Sequence, residues 1–123
     1  MGKKILIADD EPNIVISLEF LLKREGYEVV VAQDGVEALA RARAERPDLA
    51  ILDVMMPHRN GFEVCQDLRQ DPEFKDLRIM MLTVKGRDTE VSKGLALGAD
   101  VYMTKPFSTK ELIAQVKALI ERE

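Results

Sequence analysis

Four short apolar runs along the chain each end on polar residues. The runs and their polar ends are 5–8 with Asp9 and Asp10, 49–52 with Asp53, 79–82 with Thr83, and 101–103 with Thr104 and Lys105. Runs of this length with helical segments between them are typical of buried parallel strands. Because the carboxyl ends of parallel strands meet at one edge of a sheet, we expect these polar side chains to lie together there.

Amphipathic periodicity between the runs predicts five helices, and a Val-rich segment predicts a fifth strand. The predicted helices are 12–25, 35–46, 61–70, 87–97 and 109–122, and the additional strand is 28–32. Strict alternation of strands and helices predicts an α/β fold with a doubly wound, five-stranded parallel sheet of flavodoxin-like order 2-1-3-4-5 and five helices on two faces. That order places strands one and three side by side, and so brings Asp53 close to Asp9 and Asp10.

The bulk composition narrows the possible functions. At 123 residues the chain has the size of one domain, and we expect residues 1–123 to form it. A net charge of −4 offers no electrostatic basis for binding nucleic acid, and no apolar run is long enough to span a membrane. Cys65 is the only cysteine, which suits a reducing compartment, and we therefore expect a cytoplasmic protein.

The predicted cluster at the sheet edge has a definite chemistry. Three carboxylates in close proximity repel one another, and a divalent cation relieves that repulsion. The ligands are all oxygen atoms, which favours Mg²⁺ (or Mn²⁺) over Zn²⁺. A carboxylate beside such an ion can attack phosphorus, while the Thr83 hydroxyl and the Lys105 amine stabilise charge on the phosphoryl oxygens.

The chain resembles the receiver domain of two-component response regulators, including chemotaxis receivers, over essentially its whole length. The resemblance rests on five residues that occur in this order, each at the end of the appropriate strand: Asp9, Asp10, Asp53, Thr83 and Lys105. The resemblance implies that Asp53 is the phosphoacceptor. It implies that Asp10 binds the metal directly, Asp9 binds it through water, and Met55 contributes its backbone carbonyl beside Asp53.

The same resemblance implies a conformational switch. Thr83 and Lys105 would bind the phosphoryl group, and the Lys105–Pro106 peptide bond would be cis. Tyr102 occupies the position of an aromatic switch residue that turns inward as Thr83 moves toward the phosphoryl group. The altered surface would be that of the predicted fourth helix, fifth strand and fifth helix.

The resulting expectation is a phospho-accepting signalling switch and not an enzyme, apart from its own phosphorylation and dephosphorylation. The phosphoryl donor would be a sensor histidine kinase or a histidine phosphotransfer protein. The output would pass to a downstream protein or to an output domain outside this sequence, without direct contact with nucleic acid or membrane. The unphosphorylated chain would be a monomer, and phosphorylation would allow dimerisation.

Two alternatives remain open from the sequence, and one departure from the family pattern stands out. The chain could be a pseudo-receiver that binds its partner without phosphate, or a Mg²⁺-dependent phosphatase with an aspartyl-phosphate intermediate. Such phosphatases usually have a second aspartate two residues after the nucleophile, where this chain has Met55.

Val101 and Gln115 replace the aspartate and arginine usual in the winged-helix transcriptional subfamily, so we do not expect an ordinary member of that subfamily.

Overall fold

The sheet has five parallel strands. A computed structural model of the protein describes residues 3–56, 58–84 and 98–121. The strands are β1 (Lys4–Ala8), β2 (Glu28–Ala32), β3 (Leu49–Asp53), β4 (Arg78–Val84) and β5 (Val101–Lys105). Every neighbouring pair is parallel, and the order is β2-β1-β3-β4-β5. The predicted fold class and strand order are confirmed.

Four α-helices connect or follow these strands in the described part of the chain. They are α1 (Pro12–Arg24), α2 (Gly35–Glu45), α3 (Gly61–Gln70) and the C-terminal helix (Thr109–Glu121). The helix predicted at 87–97 lies outside the described residues. A short 3-10 helix, Pro72–Phe74, follows α3 where the sequence indicated only a break. It forms because the Asp71 carboxylate accepts a hydrogen bond from the Glu73 N–H and caps the turn.

Local capping interactions fix where the helices begin, and three of these starts lie near the carboxyl edge of the sheet. Asp34 caps α2 by accepting the Glu37 N–H at 2.8 Å. Asn60 and Glu63 form a reciprocal capping box at the start of α3. The C-terminal helix is capped by Ser108, whose Oγ accepts a backbone N–H at 3.3 Å.

Apolar side chains cover both faces of the sheet, which explains why the strand sequences read as continuous apolar runs. On one face the strands pack against α2 and α3, with Leu6, Leu52 and Met81 fully buried. On the other face they pack against α1 and the C-terminal helix, with Leu18 and Val116 fully buried. None of the helices that the structure describes has the length and apolar character needed to cross a membrane.

Candidate functional site

The described residues include only three buried polar side chains, and all three lie at the carboxyl edge of the sheet. Asp9 directly follows β1, Asp53 ends β3, and Thr83 is the penultimate residue of β4; their exposed fractions are 1%, 4% and 2%. Strand register aligns Asp53 with Leu82, so Thr83 stands one residue beyond it on the neighbouring strand. Polar groups are costly to bury without partners, so this concentration marks the edge as a site.

Lys105, the last residue of β5, brings its ammonium group into the acidic cluster. Its Nζ lies 3.0 Å from Asp9 Oδ2, 3.1 Å from Glu11 Oε1 and 3.4 Å from Asp53 Oδ1. The lysine side chain is 12% exposed, whereas that of Glu11 is 59% exposed. One cation therefore faces three carboxylates, and two of those carboxylates are buried.

This imbalance appears in the ionisation of Asp53. Burial, together with the nearby negative charge of Asp9, raises the pKa of Asp53 from its ordinary value of 3.8 to about 7. Lys105 opposes that rise through its charge and hydrogen bond. For Lys105 itself, burial acts to lower the pKa, but the hydrogen bond and charge from Asp9 and the charge of Asp53 outweigh it and raise the pKa. The cluster thus stabilises added positive charge.

The donor set fits a hard divalent cation. Carboxylate oxygens of Asp9, Asp10 and Asp53 lie within 4.8 Å of one another. Asp10 is exposed, so one side of this group opens to solvent. All-oxygen sites with several carboxylates and room for water suit Mg²⁺ better than softer metals. The excess negative charge left by Lys105 supplies a further reason for a cation to bind here.

The residues after Asp53 fold back beside its side chain. The Met55 N–H donates to Asp53 Oδ1 at 3.4 Å, while the Met55 side chain is 56% exposed. The Val54 N–H donates to the Leu82 carbonyl, and the Val54 carbonyl accepts the Gly61 N–H at 3.0 Å. The backbone N–H of Met55 is therefore adjacent to the Asp53 carboxylate, and the role of the Met55 carbonyl as a metal ligand stays a prediction.

The remaining predicted site residues lie on or just after β5. The Lys105–Pro106 peptide bond is cis. Tyr102 is half-buried and packs against the apolar cluster that α2 and α3 share with the sheet. Val101 and Gln115 are also half-buried, at the start of β5 and in the C-terminal helix. The inference drawn from these two positions about subfamily membership stays a prediction.

Sequence reasoning missed two features of the site. Glu11 is not among the predicted site residues, but its carboxylate binds Lys105. Gly61 is predicted only as the first residue of a helix, but a Cβ there would lie 2.4 Å from the carbonyl oxygen of Asp53. The Asp-Asp-Glu run was a usable signal for the first feature, since all three acids follow the same strand. The second depends on interatomic distances between elements.

Comparison with known proteins places this arrangement in a family. The sequence model of the response regulator receiver domain matches residues 5–117. The alkaline phosphatase synthesis transcriptional regulatory protein PhoP of Bacillus subtilis (strain 168) is 52% identical over 122 residues, which cover 99% of this chain and 50% of that protein. The chain thus spans half the length of that relative.

Solved structures agree in fold. A putative response regulator from Chloroflexus aurantiacus J-10-fl matches with a TM-score of 0.95 and 38% identity, covering 99% of this chain and 100% of that one. The receiver domain of the sensor histidine kinase PA1611 from Pseudomonas aeruginosa PAO1, with a magnesium ion in its active site cleft, matches with a TM-score of 0.91 and 26% identity, covering 99% and 100%. The chain belongs to the response regulator receiver domain family.

Proposed function

We propose that this receiver domain is a phospho-accepting switch in which Asp53 takes a phosphoryl group from a histidine kinase or a histidine phosphotransfer protein. One observation carries the proposal: Lys105 lies 3.0 Å and 3.4 Å from the two buried carboxylates, Asp9 and Asp53, at the carboxyl edge of the sheet. A structural ion pair needs one anion for each cation. A site with excess carboxylate and a single amine suits phosphoryl transfer instead.

The transfer step follows from the chemistry of the groups present. An Asp53 carboxylate oxygen attacks the phosphorus of a phosphohistidine; the new O–P bond forms as the P–N bond breaks, and the imidazole leaves with the electron pair. Lys105, already within reach of Asp53, donates hydrogen bonds to the transferring phosphoryl oxygens. The Thr83 hydroxyl, one residue beyond the level of Asp53 on β4, donates to another.

The carboxylates of Asp9, Asp10 and Asp53, with the Met55 carbonyl, would hold Mg²⁺ or Mn²⁺. The 4.8 Å grouping of the three carboxylates and the magnesium-bearing PA1611 receiver support this assignment. When bound, the ion neutralises negative charge on the carboxylates and on the incoming phosphoryl group. The protein residues then provide orientation: Asp9 and Lys105 fix each other through their 3.0 Å contact, and the β3 backbone aims Asp53.

The output of the switch passes through the surface that contains β5 and the C-terminal helix. Movement of Thr83 toward the phosphoryl group lets Tyr102, two residues before the register partner of Thr83 on β5, turn inward. A partner protein, or an output domain such as the part of the PhoP relative that this chain does not cover, reads the change. We place this activity in the cytoplasm, with phosphorylation able to promote dimerisation.

A titration with beryllofluoride and Mg²⁺ tests the proposal. Backbone NMR on wild type should show shifts near Asp53, Thr83 and Lys105 that spread to Tyr102 and the C-terminal helix. The matched variant Asp53→Asn keeps the size of the side chain but removes the nucleophilic carboxylate, and it should show none of the beryllofluoride shifts. Incubation with a phosphorylated histidine phosphotransfer protein should then label wild type only.

The alternatives predict different outcomes. A pseudo-receiver would show no beryllofluoride shifts in wild type and would bind its partner equally well in both proteins. A phosphatase would turn over an aryl phosphate rapidly and release it continuously, whereas the proposed switch would accumulate one phosphoryl-aspartate per chain and lose it only by slow self-dephosphorylation. Either of these results would contradict the proposed function.

A further inference from the structure

The first residue of α2 contacts the backbone of the loop that follows Asp53. A Cβ atom at Gly35 would lie 1.9 Å from the carbonyl oxygen of Arg59 and 2.6 Å from both its carbonyl carbon and its Cβ. Contacts below 3.0 Å to backbone atoms cannot be relieved by a side-chain rotation, so the backbone of Arg59 occupies the space that any side chain at position 35 would need.

Both partners in this contact are fixed to the carboxylate site, from opposite sides. Gly35 lies three residues after Ala32, whose carbonyl accepts the Asp9 N–H at 3.2 Å. On the α2 side, the Asp34 cap and the hydrogen bond from the Gln33 N–H to Glu37 at 2.7 Å hold the start of the helix in place. The α2 end of the contact therefore cannot retreat without disturbing the strand that carries Asp9.

Arg59 and its neighbours, on the other side of the contact, are also held in place by hydrogen bonds and an ion pair. Arg59 forms an ion pair with Asp67 of α3, and Asn60 caps that helix. At the far end of the loop, the Gly61 N–H donates to the Val54 carbonyl. The loop is therefore pinned to β3 at its beginning and to α3 at its end, and between them Arg59 rests on Gly35. Met55, whose carbonyl is a proposed metal ligand, lies within this loop.

We infer that Gly35 is a positioning residue for the metal site: it provides a surface without a side chain on which the Arg59 backbone rests, and so constrains where the Met55 carbonyl, four residues earlier, stands relative to Asp9. The inference rests on the proposed function, since it concerns one of the proposed metal ligands. A methyl group at position 35 displaces the Arg59 backbone, and Met55 lies on the same segment between Val54 and Gly61, which are hydrogen-bonded to each other. The carbonyl of Met55 then moves away from the carboxylates.

The test compares Gly35→Ala with Gly26→Ala by measuring the dissociation constant for Mg²⁺. Gly26 is a suitable control because its φ of +95° makes alanine unfavourable there, yet a Cβ would meet no atom within 4 Å. Both variants therefore lose stability, but only Gly35→Ala crowds the loop. We expect the Mg²⁺ dissociation constant to rise about tenfold in Gly35→Ala, roughly the lower end of effects from disturbed metal-site positioning, and to stay within about twofold of wild type in Gly26→Ala.

A second readout separates positioning from general damage. With a small phosphodonor, Gly35→Ala should need more Mg²⁺ for half-maximal phosphorylation but should approach the wild-type rate at saturating Mg²⁺, because the three carboxylates are unchanged. A lowered maximal rate with an unchanged Mg²⁺ requirement would overturn the inference. So would a Mg²⁺ dissociation constant in Gly35→Ala that matches that of Gly26→Ala.

Wild-type NMR keeps the inference testable if Gly35→Ala does not fold. During a Mg²⁺ titration, the amide resonances of Gly35 and Arg59 should shift along the same binding curve as that of Met55. A titration that saturates Met55 and leaves Gly35 unmoved would overturn the inference. Wild type that binds no Mg²⁺ at all would instead contradict the proposed function, so the two failures are distinguishable.

Discussion

Two charge clusters in this domain have similar distances but opposite character. At the carboxyl edge of the sheet, Lys105 lies 3.0 Å from Asp9. Near the start of β5, Arg69 of α3 lies 2.9 Å from Asp100. Both cations are largely covered, with side-chain exposures of 12% and 20%. Distance and burial alone would not tell which cluster has a function beyond stability.

The difference lies in how completely the charges and hydrogen bonds are matched. Arg69 donates to the Gly98 carbonyl at 2.9 Å, the Phe74 carbonyl at 3.1 Å and the Asp100 carboxylate at 2.9 Å. The same Asp100 oxygen also accepts the Ile79 N–H at 2.8 Å. One guanidinium meets one carboxylate and two carbonyls, so this cluster joins α3 to the start of β5. The Lys105 cluster has more negative charge than one ammonium group can neutralise, and that excess favours the binding of a metal cation.

The largest expected effect comes from removing the cation of the unbalanced cluster. Lys105→Met should slow phosphorylation of Asp53 about 100-fold, since one positioned donor to a developing anion is worth roughly that much. The same variant should bind Mg²⁺ more tightly at pH 8, because a competing positive charge next to Asp9 and Asp53 is gone. Stopped-flow phosphorylation and a Mg²⁺ titration measure the two effects.

Lys110→Met is the matched control. Lys110 is exposed on the C-terminal helix, so this variant makes the same substitution away from the site. It should leave both quantities unchanged. If Asp53 in Lys105→Met were phosphorylated at the wild-type rate, the excess negative charge of the Lys105 cluster would not distinguish it functionally from the Arg69 cluster.

Next in size is the effect of breaking the matched cluster. Arg69→Met should lower the free energy of unfolding by about 2 kcal/mol, because it removes the ion pair with the half-buried Asp100 carboxylate and the hydrogen bonds to the Gly98 and Phe74 carbonyls. Its Mg²⁺ affinity should stay at the wild-type value. Urea denaturation measures the first quantity. In Arg46→Met, where the exposed ion pair with Glu73 is lost, the urea midpoint should not change measurably.

The third expected effect concerns how the stability of the unbalanced cluster responds to pH in the absence of divalent metal. The pKa of Asp53 in the folded protein is raised to about 7, above its ordinary value of 3.8. The folded state therefore holds a proton that the unfolded state has lost, and wild type loses stability as the pH rises from 4 to 7. Asp53→Asn cannot ionise, so its stability relative to wild type should increase across this window, and each pKa unit of the shift is worth about 1.4 kcal/mol. Urea denaturation with a chelator present measures the difference in the free energy of unfolding between Asp53→Asn and wild type. The same difference at pH 4 and at pH 8 would contradict this account.

Most of the fold could be predicted from the sequence, because the strands are apolar on both faces. Runs such as Ile5–Ala8 are continuous only when helices cover both sides of a parallel sheet, and that condition fixed the fold class and predicted the strand order. The position of Asp53 beside Asp9 followed, because parallel strands end at the same edge. The helix at 87–97 stays a prediction.

Contacts between elements were harder to predict. The ion pair between Arg69 and Asp100 joins residues 31 positions apart, and neither residue belongs to a motif. The contact between Gly35 and Arg59 depends on how closely the start of α2 approaches the Arg59 backbone, which leaves no space for a Cβ atom at position 35. Residue type and periodicity identify which elements form and which edge is polar, but these contacts depend on how the finished elements pack.

The contact between Lys105 and Asp9 joins residues 96 positions apart, from the first strand and the last. Contacts between residues so far apart in sequence form slowly, because the entropy of closing the chain is lost before the contact stabilises it. A nascent or truncated chain that lacks β5 contains Asp53, the proposed phosphoacceptor, but not Lys105. Under the proposed function, the chain becomes able to receive a phosphoryl group only after β5 has been synthesised and has packed on the sheet.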